Sequence, residues 1–268
     1  MATYSSRIDP PVARWTFSPS WLTRERAAPV IAGLAILAVW QIYVTLYLPY
    51  FVATPLGIIG AIPTTMASGE FWYDAFVTLF AILEGVVIGS AAGVLIGVAM
   101  GRVREINWLL SPYIRTLYAL PLVALVPIVI LWVGYQPAAR LIIVSISVFL
   151  PVAVTTADGT RAINKEYLDV GKMFGARTRD VWFGIALPSA LPYIVTGIEL
   201  GFARGITNAI AVEVLASLSG MGMSVFTKSA ELNENASLVY VMCLAIFAIN
   251  VRGAMVRFRR WLAPWYHR

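Results

Sequence analysis

Twenty consecutive residues, Pro29–Leu48, carry no charged side chain. A helix of that length spans a hydrocarbon core of ~30 Å. Lipid offers no partner to backbone N–H and C=O groups, so a spanning chain must be helical or a closed barrel. Further apolar stretches of helical length run at about 75–100, 109–132, 139–157, 187–215 and 238–256. The last is strongly apolar only to Asn250 and extends past Arg252, whose long side chain can snorkel. Only 13% of the residues are charged, against ~25% in an average soluble domain. The chain reads as an all-α, polytopic membrane protein with six transmembrane helices in a domain over 29–256.

Residues 1–28 are polar and include Arg7, Arg14, Arg24 and Arg26. They read as a cytoplasmic extension before an uncleaved first span, because a signal peptide has a shorter apolar region and a small-residue cleavage site. Residues 49–74 read as an outer loop with a short surface helix near Leu56–Met66. The segment 257–268 is a basic, aromatic tail. With the N-terminus inside, sixteen Lys and Arg fall in inner segments, and only Arg140 and Lys228 fall in outer ones. That asymmetry fixes the orientation and places both termini in the cytoplasm. The net charge of +6 is therefore an orientation signal, and no nucleic-acid partner is expected. The single Cys and single His exclude a disulfide within the chain, a zinc cluster and a His-based triad. No metal site or catalytic residue is expected.

Gly85, Gly89, Gly93, Gly97 and Gly101 recur at every fourth position of the second span. Glycine weakens a helix, so the spacing needs a reason. Small residues let helix backbones approach closely in lipid. The ladder fits either static packing or a seam that slides during a conformational cycle. Glu84, Glu199 and Arg204 lie within spans, where a charge at mid-membrane costs ~2.5–3.5 kcal/mol on insertion scales. They must face protein or water. Arg204 and Asn208 share a helix face at i, i+4. Either these groups pair between helices, Arg204 with Glu84, or Glu84, Glu199, Arg204 and Asn208 line a polar solute path.

The polar stretch Asp158–Gly184, between spans four and five, is the longest inner loop. Asn164 can cap a short helix reaching Phe174, and Gly175 suits the left-handed residue that ends one. Thr178 and Asp180 can start a second. The helix–turn–helix presents Tyr167, Val170, Met173 and Phe174, and exposed apolar groups on a cytoplasmic loop mark a protein partner.

The loop reads Asp169-Val170-Gly171, three residues, Gly175, nine residues, then Ile185-Ala186-Leu187-Pro188. It resembles the EAA motif of ABC importer permeases, with Asp for Glu and Val-Gly for Ala-Ala. The run Pro121–Pro127 with Leu131-Trp132-Val133-Gly134, Gly220-Met221-Gly222 after Glu213, and Ser68-Gly69-Glu70 are similar to the nitrate/sulfonate/taurine/bicarbonate-type branch. The resemblance covers about residues 30–255. It implies a bacterial inner-membrane permease without enzymatic activity of its own. Tyr167, Asp169, Val170, Gly171, Lys172, Met173, Phe174, Gly175, Ile185, Leu187 and Pro188 would then form a coupling helix and its flanks. Two cytoplasmic ATPase subunits would bind ATP and Mg, and this chain would hold no cofactor. The other implied partners are a second permease chain, with one complete motif pointing to a homodimer, and an extracytoplasmic solute-binding protein. The implied solute is a small anion: a sulfonate, nitrate, bicarbonate or carboxylate. The chain has no G-x-x-x-x-G-K-[ST] phosphate loop. The competing reading is a six-span secondary carrier, which would need inverted repeats and coupling-ion sites.

Overall fold

The computed structural model describes residues 19–48, 52–163, 166, 170, 173–177, 180, 184 and 186–262. The chain forms two compact units, residues 1–56 and 57–268. The first is built on α1 (Pro19–Tyr47), which starts ten residues before the expected span. Gln41 on α1 accepts a hydrogen bond from the Leu56 backbone N–H at 3.1 Å. That N–H lies in the first turn of α2 (Pro55–Met66), where backbone donors lack helical partners.

The second unit is all-helical among its described residues. Its helices are α3 (Gly69–Arg102), α4 (Arg104–Ala119), α5 (Val126–Val133), α6 (Pro137–Arg161), α7 (Leu187–Leu215), α8 (Met221–Ala230) and α9 (Glu234–Leu262). Ser68 starts α3 earlier than the apolar run suggested, because its hydroxyl accepts from the Phe71 N–H at 3.3 Å; this is an N-cap. Four described helices are long and apolar enough to cross a membrane: α1, α3, α6 and α9. A bent pair makes a fifth candidate.

That pair corrects the expectation of one continuous third span. It turns by 97° between α4 and the segment Leu122–Val133. Leu120 is extended (φ −76°, ψ 143°), as the residue before a proline prefers. Pro121 brings no N–H to continue the ladder, so a 3-10 turn, Leu122–Leu125, restarts the chain.

The core is a three-helix slab with α6 in the middle. A Cβ added to Gly93 would sit 2.7 Å from Val152 Cβ, and one on Gly97 would sit 2.6 Å from Thr156 Cβ. The same register takes Gly85 to Val144, Gly89 to Val148 and Gly101 to Thr160. Both rows advance by four, so α3 and α6 run parallel with glycine grooves against β-branched ridges. A second glycine row does the same on α7. Gly197, Gly201 and Gly205 meet Val152, Val148 and Val144 in reverse order, so α7 runs antiparallel. Val144, Val148 and Val152 are fully buried.

The glycine contacts give a sharp comparison. Gly93→Ala is expected to destabilise by about 1–3 kcal/mol, as overpacked sites do. Gly33→Ala, with no atom within 4 Å of the new methyl, is expected to be neutral or stabilising, since Ala outranks Gly in helices. Thermal unfolding in detergent reads both; equal midpoints would contradict the tight seam.

Candidate functional site

At one end of the slab, four elements meet on a buried carboxylate. Glu213, near the end of α7, is completely buried, and the Arg140 side chain, in the first turn of α6, is 6% exposed. Arg140 Nη1 donates to Glu213 Oε1 at 2.8 Å and to the Ser219 carbonyl at 3.1 Å. Thr78 on α3 donates its hydroxyl to Glu213 Oε1 at 2.7 Å. The Gly222 N–H donates to Glu213 Oε2 at 2.8 Å, and the Met221 N–H donates to Thr78 Oγ1 at 2.8 Å.

The loop chemistry explains why glycines flank Met221. The first turn of α8 has N–H groups without helical partners and the positive end of the helix dipole, so a carboxylate caps it well. Glu213 supplies that cap from another helix. A Cβ on Gly220 would strike the Glu213 carboxylate, and one on Gly222 would lie 2.9 Å from its Oε2. Gly220 also has φ +149°, which L side chains rarely adopt. Close by, the Ser224 hydroxyl of α8 donates to Asp74 of α3. The sequence counts Arg140 among the outer positive charges. Its side chain is buried in the packed bundle, where α7 supplies the carboxylate that neutralises it.

Of the four expected path residues, Arg204 and Asn208 share a face, while Glu84 and Glu199 have other surroundings. Arg204 does not pair with Glu84. It donates from Nη1 to the Tyr118 carbonyl at 3.1 Å, and its guanidinium lies 4.1 Å from the centroid of the Tyr118 ring. The break after Ala119 frees that carbonyl, and a cation at a helix C-terminus is favourable. Asn208 stays on the Arg204 face and donates to the Arg204 carbonyl at 3.0 Å. Glu199 accepts from Arg259 of α9 at 3.3 Å. Glu84 is exposed and lines a cavity of about 290 Å³ with Arg140, Tyr73, Phe76 and Phe80.

Part of the loop between α6 and α7 is described. The Phe174 N–H donates to the Val170 carbonyl at 3.1 Å, one helical turn. Gly175 follows at φ +74°. Met173 and Phe174 are 85% and 87% exposed. The Arg177 N–H donates to Asp180 Oδ2 at 3.2 Å, and the Asp180 N–H returns to the Arg177 carbonyl. Leu187 and Pro188 open α7. Tyr167, Asp169, Gly171, Lys172 and Ile185, with Asn164 and Thr178, lie outside the described residues.

Among known families, residues 85–268 match the model for the binding-protein-dependent transport system inner membrane component. The chain is 26% identical over 255 residues to the taurine transport system permease protein of Escherichia coli (strain K12), covering 92% of each chain. It is 27% identical over 266 residues to a putative aliphatic sulfonates transport permease protein of the same organism, covering 96% of this chain and 97% of the other. Among solved structures it superposes on a chain of an amino acid ABC transporter with TM-score 0.59 at 14% identity, covering 80% of this chain and 99% of that one. That likeness concerns the fold.

Removing one partner of a buried ion pair leaves the other charge unpaired, at a cost of about 3–5 kcal/mol. Glu213→Ala and Arg140→Met are each expected to destabilise by that amount. The double variant is expected to lose less than the two together, and denaturation of all four proteins measures the coupling. Strict additivity would show that the pair is not coupled.

Proposed function

The chain belongs to the family of binding-protein-dependent transport system inner membrane components, and on that premise we propose that it carries a small sulfonate across the inner membrane. It is the permease subunit of an ABC importer. In our reading the six spans are α1, α3, the bent α4–α5 pair, α6, α7 and α9. The 29 residues of α7 make ~43 Å of helix at ~1.5 Å per residue, enough to cross. Its three charged residues, Glu199, Arg204 and Glu213, are each paired or stacked within the protein. Both termini lie in the cytoplasm, in accord with the Lys and Arg distribution. The sulfonate assignment follows the two relatives, and Arg204 with Asn208 contributes polar groups to the path.

The observation that carries the coupling role is the turn ending at Gly175. One helical turn presents Met173 and Phe174 to solvent, and Gly175 follows with a left-handed backbone, φ +74°. Exposed apolar groups of that size need a partner. The partner proposed is a cytoplasmic ATPase subunit, one on each of two permease chains, with ATP and Mg bound there. The segment from Tyr167 to Gly175, with Ile185, Leu187 and Pro188 leading into α7, would pass ATPase motion to the slab. A rigid element held between two packed helices transmits such motion as a body. An extracytoplasmic binding protein would deliver the solute. A homodimer is the simplest assembly, since one chain carries the whole loop.

Two measurements test this. A tagged chain purified from native membranes in mild detergent is expected to bring an ATP-binding subunit in equal amount; repeated purification without one would count against coupling. Gly175→Val is expected to insert normally but cut ATP-driven uptake about ten-fold, because left-handed backbone costs a non-glycine residue roughly 1–2 kcal/mol. Among the described residues no atom lies within 4 Å of the added Cβ. Gly175→Asn, which tolerates that conformation, is expected to retain most transport. Full uptake by the valine variant would sink the turn argument.

A further inference from the structure

α9 meets α7 on either side of a cavity of about 420 Å³. On one side Phe247 packs against Phe202, with ring centroids 5.9 Å apart. On the other, further along α9, Arg259 donates to Glu199 at 3.3 Å. Phe202 and Ile206 of α7 and Ile249 and Met255 of α9 give the cavity apolar walls, and Glu199 and Arg252 are its charged lining. Ile249 is 69% exposed, so the cavity opens along the side of α9 to whatever surrounds the fold.

The charges along this groove do not balance. Glu199 is held by Arg259. Arg252 is exposed and makes no hydrogen bond or ion pair with the described residues. A Cβ on Gly253 would lie 3.9 Å from Arg257 Nη1, so a second guanidinium folds back beside the residue after Arg252. From Asn250 to Leu262, α9 carries four Arg and no acid. The strongly apolar run Leu238–Asn250 has thirteen residues, or ~20 Å of helix at ~1.5 Å per residue. That is short of a hydrocarbon core of ~30 Å. Acyl chains therefore still surround the helix at Arg252, and its guanidinium needs a counter-charge or a route to the headgroups. Basic pockets between spans on the cytoplasmic side suit anionic lipid headgroups. A free inorganic anion would meet the charge but leave the apolar walls in contact with water, so the walls favour an amphiphile.

Resting on the orientation given above, we propose that this groove binds an anionic phospholipid of the inner leaflet. The Arg252 guanidinium takes the headgroup phosphate, and one acyl chain lies along Phe202, Ile206, Ile249 and Met255. The lipid supplies the missing negative charge and fills the space that side chains leave between α7 and α9.

The full-length chain, alone or with its ATPase, is purified in mild detergent, stripped of lipid, and titrated with phosphatidylglycerol or phosphatidylcholine under native mass spectrometry. Wild type is expected to bind phosphatidylglycerol about five-fold more tightly, as about 1 kcal/mol per arginine at a charged membrane surface gives. Arg252→Gln is expected to bring the two lipids within about two-fold of each other, and Arg252→Lys to keep the preference. Arg260→Gln, outside the cavity lining, is expected to leave it unchanged. Equal binding of both lipids by wild type, as when another helix covers the groove, overturns the proposal. So does a preference that Arg260→Gln lowers as much as Arg252→Gln, the mark of a diffuse basic surface. Displacement of the lipid by inorganic phosphate alone overturns it too, since the site would then be one for simple anions. Cleavage of a C-terminal tag by protease only in right-side-out vesicles would overturn the orientation, and the inner-leaflet placement with it. None of these readouts needs transport, so failure of ATP-driven sulfonate uptake would remove the importer reading and leave the lipid site standing.

Discussion

The valine ridge of α6 holds the second unit together. Val144, Val148 and Val152 lie between a glycine row on α3 and another on α7. Between spans in lipid there is no hydrophobic force to bring helices together, so close contact must come from shape. Glycine costs each helix local stability, and that cost is offset by dispersion contacts along the whole seam. The β-branched residues have little rotamer freedom, so the ridge cannot yield to a methyl added opposite it. The seam fixes where the ends of three helices lie, and the polar chemistry is placed by those ends.

At one end the seam delivers Thr78, Arg140 and Glu213 to one point, and α8 closes over them with its first N–H groups. At the other end, Asp158 of α6 meets Arg115 of α4 at 3.2 Å, and Arg161 of α6 donates to Asn107 of α4 at 2.5 Å. Those pairs are half exposed and add little stability. The buried pair is different in kind: its desolvation is offset only because each oxygen of Glu213 has a donor. The slab is thus pinned strongly at one end, while the other leads into the α6–α7 loop. The proposed coupling role fits that asymmetry: a body pushed from the loop would keep its internal packing.

Much of this was legible in the sequence. Apolar runs gave the helices, because in lipid the backbone leaves few options. The α3 ladder declared a close seam, yet spacing could not name α6 as its partner. The matching row Gly197, Gly201 and Gly205 is masked in the sequence, since Glu199 and Arg204 interrupt it. The break at Leu120–Pro121 was hidden in an apolar run that looked continuous, although the prolines were visible. The polar site was the least legible part. Arg140 at the edge of a span looks like a solvated outer charge, and its carboxylate is 73 positions away. The Glu84–Arg204 pair failed for the same reason, because which charges meet is set by tertiary packing. Glu213 followed by Gly220-Met221-Gly222 was the one available signal, and its meaning as a cap across helices needs the fold.

The central claim is that this chain moves solute only when ATP hydrolysis drives its loop. The most direct measurement reconstitutes the permease with its ATPase in proteoliposomes and follows sulfonate uptake with the binding protein outside and ATP on the ATPase side. The account predicts accumulation that needs hydrolysable ATP and persists when ionophores collapse all ion gradients. Uptake by the permease alone, driven by an ion gradient and indifferent to ATP, would contradict it and favour a secondary carrier.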